Sequence, residues 1–183
     1  MNKTLLKLSA VALAALSYAS LAAAETQTTV KFTGKLQDAT CQIDSSSLNQ
    51  EVTLPTLSTT TLNKSGAVAG ATMFDVKVVD CPSTMTAVTA HFETLNMDPD
   101  TRNAKNLATT NAASNVTVQI LDRDGTTAIP LGSKGQFVSV VKGGTEAAPT
   151  YSADLLYGGR YYATGATTPG NVSSTVTFTL AYQ

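Results

Sequence analysis

Along most of this chain, apolar and polar residues alternate in short runs rich in Val, Thr, Ile, Phe and Tyr, separated by clusters of Gly, Pro, Asn, Asp and Ser. Sustained helical periodicity is almost absent, so the pattern predicts an all-β domain. Strands are expected over Thr28–Gln37, Glu51–Leu54, Met73–Asp80, Thr86–Glu93, Asn115–Asp122, Gln136–Lys142, Ser152–Tyr157 and Val172–Tyr182. Many short strands at this spacing point to a sandwich or a barrel. Asp122-Arg-Asp-Gly125 is expected to be a turn, and the polar segment Asp98–Ala113 a long surface loop. The Thr, Ser, Ala and Gly-rich connection Leu57–Ala71 is compatible with a short helical turn, which the sequence does not decide.

Two segments carry the clearest alternation. In Thr28–Leu36 the residues Val30, Phe32, Gly34 and Leu36 share one face, with Thr29, Lys31, Thr33 and Lys35 on the other. At the far end Val172, Val176, Phe178, Leu180 and Tyr182 alternate with Ser173, Thr175, Thr177, Thr179 and Ala181. Chain ends fray unless something ties them down, so a patterned strand running to the last residue is expected to be held in a sheet.

The first residues, with Lys3 and Lys7 ahead of an uncharged apolar run from Leu8 to Leu21, have the layout of a secretory signal. Small residues allow cleavage after Ala22 or Ala24, and the later site is favoured. The apolar run falls short of the roughly 20 residues a spanning helix needs. Removing the first 24 of 183 residues leaves 159, the size of one domain. The expected division is a cleaved signal over 1–24, an N-terminal extension over 25–38 and a single domain over 39–183.

Export changes how the composition is read. The signal takes two lysines and no acid with it, so the formal charge of −1 becomes −3, with basic residues scattered; nothing suggests a nucleic-acid or anionic-membrane surface. Cys41 and Cys81 are the two cysteines, and an even count in an oxidising compartment reads as one disulfide. Closing about 40 residues, the bridge is worth roughly 4 kcal/mol in the chain-entropy model. There is no C-x-x-C redox motif, and His91 is the single histidine available to join two thiols at a metal.

Catalytic signatures are missing as well. His91 is expected to face solvent, opposite Val88, Ala90 and Phe92. A calcium loop starting at Asp122 would place Thr127 where glycine belongs and Ser133 where the bidentate glutamate belongs. The triplets Asn115-Val-Thr and Asn171-Val-Ser match a glycosylation acceptor only at the level of chance. Tyr157, Tyr161 and Tyr162 read as packing residues before they read as a sugar-binding cluster. A secreted hydrolase would need a nucleophile with its base or two carboxylates with separated pKa values, and no such constellation is recognisable. The chain is expected not to be an enzyme and to need no cofactor.

Taken together, the signal, the alternating Thr29-Val-Lys-Phe-Thr-Gly-Lys-Leu36 ahead of Cys41, the second cysteine in Val79-Asp-Cys-Pro82 and the Gln119-Ile-Leu-Asp-Arg123 stretch form an ordered set. Arg160-Tyr-Tyr-Ala-Thr-Gly-Ala-Thr-Thr-Pro-Gly170 and the closing Thr177-Phe-Thr-Leu-Ala-Tyr-Gln183 complete it. In that order and spacing the chain resembles the chaperone–usher pilin family, of the type 1 pilus major-subunit kind. The resemblance implies an incomplete immunoglobulin-like sandwich whose missing strand is supplied by a periplasmic chaperone and then, at the outer-membrane usher, by the extension of another subunit. It implies donor residues Val30, Phe32, Gly34 and Leu36, and an acceptor strand with Val176, Phe178, Leu180 and Tyr182 after a turn at Gly170. It also implies a fimbrium at the cell surface that serves adhesion, with copies of the chain or other pilus subunits as partners. A minor or adaptor subunit would share these motifs; a tip adhesin typically adds a receptor-binding domain, for which 159 residues leave no room.

Overall fold

The fold is governed by two sheets whose inward-facing residues meet face to face. A computed structural model of the chain describes residues 29–34 and 40–183. The signal, its cleavage site and Leu36 lie outside the described residues. By contacts the chain divides into two units, 1–36 and 37–183. Within the first, residues 29–34 form neither helix nor paired strand, against the expected strand from Thr28, and Val30 and Phe32 are 67% and 90% exposed.

The second unit is all-β with two short 3-10 turns, Ser45–Ser47 and Thr59–Leu62. Its strands are β1 (Gln42–Ile43), β2 (Val68–Val79), β3 (Ala87–Phe92), β4 (Ala104–Lys105), β5 (Val116–Leu121), β6 (Ala128–Ile129), β7 (Val138–Ser139), β8 (Val141–Gly144), β9 (Pro149–Ala163) and β10 (Phe178–Tyr182). One sheet runs β1-β2-β9-β5-β4, with β6 on β5 and β8 on β9; the other runs β10-β3-β7. All strand pairs are antiparallel.

Register explains the core. Phe74 pairs Tyr157, Val76 pairs Leu155 and Val78 pairs Ala153, which puts one row of each strand on the inner face. Against them β3 packs Val88, Ala90 and Phe92, all essentially buried. Phe92 meets the Tyr157 ring edge-on, with centroids 5.1 Å apart at 87°. The Tyr157 hydroxyl accepts from Ala90 N–H at 2.8 Å and lies 3.2 Å from Thr89 Oγ1, so one side chain ties the two sheets through a satisfied polar contact. Burial raises the Tyr157 pKa above the ordinary phenol value. Cys41 and Cys81 form the disulfide that fastens the start of this unit to the end of β2.

Several strand expectations need correction. Glu51–Leu54 is extended but unpaired; β2 begins five residues before Met73, and β9 spans fifteen residues where Ser152–Tyr157 was expected. The early start of β2 passes through a bulge between Ala69 and Thr72. There Gly70 takes φ +70°, and an added Cβ would lie 3.0–3.1 Å from Leu57, Pro55 and Tyr161. Gln136–Lys142 splits into β7 and β8, which pair with different sheets. The segment Asp98–Ala113 is not all surface loop: it contains β4, with Ala104 and Asn103 buried and Asn103 Nδ2 donating to Thr117 Oγ1 at 3.1 Å. His91 is half-buried and bridged to Lys134 rather than open to solvent. The turn at Asp122–Gly125 is present, closed by Gly125 N–H donating to Asp122 O at 2.9 Å.

Candidate functional site

A groove of about 860 Å³ opens along one side of the sandwich. Its floor is core: Phe74, Val76, Phe92, Val118, Ile120 and Gly159, with Tyr161 beside them. One wall is the stretch from Ser47 to Leu54, and the other is Val172–Phe178. A floor of this composition facing solvent is apolar surface that a finished sandwich would cover with a strand.

The walls explain what is missing. On the first wall Val52 and Leu54 are half-buried while Glu51 and Thr53 are exposed, the alternation of a strand. Yet residues 49–57 make no backbone-to-backbone hydrogen bond among the described residues. On the second wall Val172, Ser174, Val176, Phe178 and Leu180 alternate half-buried with exposed Ser173, Thr175, Thr177 and Thr179. Thr177 O still accepts from Glu93 N–H at 2.8 Å, and Ser173 O from Leu107 N–H at 2.7 Å, but 174–176 make no backbone-to-backbone hydrogen bond among the described residues. Backbone N–H and C=O groups without partners are open pairing edges, and both wall segments carry them beside the apolar floor.

Next to β1, the free edge of β2 is capped by side chains: Lys77 N–H donates to Ser47 Oγ at 2.9 Å, and Gln50 Nε2 donates to Asp75 O at 2.7 Å. β10 pairs only with β3, through Phe178–Phe92, Leu180–Ala90 and Tyr182–Val88, which leaves its other edge open. The strand expected from Val172 therefore pairs as a strand only from Phe178. Phe178 packs on Phe92 with ring centroids 5.9 Å apart, and none of Val176, Phe178, Leu180 and Tyr182 is fully buried, although all four pack against the core.

The approach to this wall is rigidly set. A Cβ on Gly170 would lie 2.5 Å from Ala113 N and Asn111 O, so only glycine lets the backbone pass there. Asn106 then fixes the following residues: its Nδ2 donates to Ala113 O and Asn171 O, both at 2.9 Å, and its Oδ1 accepts from Ser173 N–H at 3.0 Å. Sequence reasoning did not single out Asn106; a lone asparagine in a polar segment carries no periodic signal. Of the earlier candidates, Tyr161 lies on the groove floor, whereas Tyr157 is wholly internal. Among the described residues no group of three or more His, Cys, Asp or Glu side chains is placed to hold a metal ion.

The groove is a cleft with an apolar floor and two walls that carry open backbone positions, and comparison with known proteins gives the family. A family model, FimA, described as type-1 fimbrial protein, A, matches residues 54–183. The chain is 42% identical over 159 residues to the F17 fimbrial protein of Escherichia coli, covering 84% of this chain and 86% of that protein. It is 35% identical over 187 residues to the type-1 fimbrial protein, A chain, of Escherichia coli, with 96% and 97% covered. Among solved structures, the P pilus rod subunit PapA shares the fold, with a TM-score of 0.60 at 18% identity over 79% of this chain and 100% of that one. The chain belongs to the type-1 fimbrial protein family and is a structural subunit of a fimbrium.

Proposed function

We propose that the subunit polymerises head to tail by strand exchange: the N-terminal extension of one copy, with Val30, Phe32, Gly34 and Leu36 facing inward, fills the groove of the next. The observation that carries this reading is the pair of walls with open backbone positions, 49–54 and 174–176, beside an apolar floor. A strand between them would receive main-chain hydrogen bonds from both sides and bury alternate side chains, the mode of β-strand addition. Val30, Phe32 and Leu36 would contribute about 1.5–3 kcal/mol each by burial. Each new backbone hydrogen bond would add about 0.5–1.5 kcal/mol net, before the cost of ordering the extension. Gly34 would mark register, where the strand passes a part of the floor too shallow for a side chain.

Such a contact is heterologous and does not close on itself, so repetition yields a filament. Until that strand arrives, the open groove is an aggregation hazard, and a periplasmic chaperone that lends a strand of its own, followed by transfer at an outer-membrane usher, answers it. The subunit's work is done by pairing strands, and no bond-making step is assigned to it.

Electron microscopy of cells that express the chain with its chaperone and usher tests the reading. Wild type should bear filaments, while Gly34→Arg and a deletion of residues 28–34 should bear none, although both chains are exported. Filaments from all three would make the extension dispensable and overturn the proposal.

A further inference from the structure

The groove is apolar on its floor and almost neutral on its rim. Among the described residues that line it, Glu51 is the single charged one, and it is exposed on the first wall. Glu93, beside the second wall, already accepts from Thr179 Oγ1 at 2.9 Å. On the donor side the pattern is complementary. Between Thr26 and Gln37 the charged residues are Lys31 and Lys35 alone, and both fall on the row opposite Val30, Phe32, Gly34 and Leu36. When that apolar row faces the floor, strand geometry turns both lysines toward the mouth of the groove, about 13 Å apart along the strand.

Resting on the strand-exchange reading above, we infer that Glu51 selects the incoming segment by its basic face: it pairs across the subunit junction with a lysine of the second copy's extension. The occupant is thus the 29–36 segment of another copy of this chain, recognised by apolar residues below and by charge above. Charge complementarity at a rim of this kind guides partner choice and adds a modest, salt-screened contribution to the hold of the junction. It also disfavours donor strands with an acid at the same outward positions, since like charges placed opposite one another repel.

The filament itself provides the test, because every copy carries both donor and acceptor. Five full-length variants are compared with wild type: Lys31→Glu, Lys35→Glu, Glu51→Lys, and Glu51→Lys combined with each lysine reversal. Export of each chain is checked by periplasmic blotting. Sheared filaments are then followed for subunit loss on mild heating in low salt and in 1 M NaCl. Reversing Glu51 or its partner lysine should speed loss about three- to tenfold in low salt. The matching double reversal should return it to within about twofold of wild type, and high salt, with a screening length near 3 Å, should erase the differences. Single reversals that match wild type, or double reversals that rescue nothing, would overturn the pairing. Phe32→Glu separates the two levels of the argument. If that chain still assembles, strand exchange fails and the pairing with it; if it does not assemble while the charge series is flat, the pairing alone is wrong.

Discussion

β9 and the C-terminal segment are written in the same alternating code and meet opposite fates. In β9 the inward row Ala153, Leu155, Tyr157 is 4%, 0% and 1% exposed, because β2 pairs alongside all three and β3 lies across their face, while β8 and β5 take the other edge of β9 before and after them. In the segment from Val172 to Tyr182 the inward row is half-buried throughout, and 174–176 make no backbone-to-backbone hydrogen bond among the described residues. The difference is cover: β2 and β3 enclose the first row, whereas no strand pairs alongside 174–176 among the described residues. A row covered in this way belongs to the subunit's own stability, whereas on the strand-exchange proposal the half-covered row keeps its remaining burial for assembly.

Matched truncations break this comparison most directly. Leu155→Ala should cost the isolated subunit about 2–5 kcal/mol in denaturant unfolding, as expected for a fully buried side chain. Val176→Ala should cost the isolated subunit less than about 1 kcal/mol but markedly lower the heat resistance of filaments. Equal losses at both positions in the isolated chain would mean that the second wall is already complete. Tyr157→Phe comes next in size. It leaves Ala90 N–H without its partner in a buried place and should lower stability by about 1–3 kcal/mol, equally in free subunit and filament.

The smallest effect sharpens the same contrast from the surface. Asp124 is held by the Thr127 hydroxyl first, then by the N–H groups of Thr127 and Thr126, and its pKa is lowered to about 2. A depressed carboxylate contributes stability that is full above its unfolded value of 3.8 and lost as pH falls through about 2. Asp124→Asn should therefore flatten the acid limb of the unfolding midpoint between about pH 4 and 2, and do so identically before and after assembly, since the turn closes locally.

The all-β class, the disulfide and the turn at Asp122–Gly125 were legible because each rests on local signals: period-two alternation, cysteine count and turn chemistry. Element limits were less so. β2 and β9 extend through Gly70, Gly158 and Gly159, residues whose strand propensity is low but whose lack of a side chain suits a bulge and close packing. β1, β4 and β6 are two residues long, too short for any period to register. At the site, alternation in Glu51–Leu54 and Val172–Tyr182 marked both walls as strands, yet no pattern within one chain can reveal that their edges toward the groove are open. That was suggested by family resemblance, and the physical sign appears only with the unpaired backbone of 49–57 and 174–176. Asn106 and the side-chain caps Ser47 and Gln50 act through single contacts between distant segments, and such contacts leave no periodic trace.

Electron cryomicroscopy of assembled filaments tests the central claim most directly. The account predicts a strand between residues 49–54 and 172–177, traceable to residues 29–36 of a neighbouring copy, with Phe32 turned to the floor and Lys31 and Lys35 at the mouth. A groove that is empty in the filament, or filled by the subunit's own extension, would contradict it.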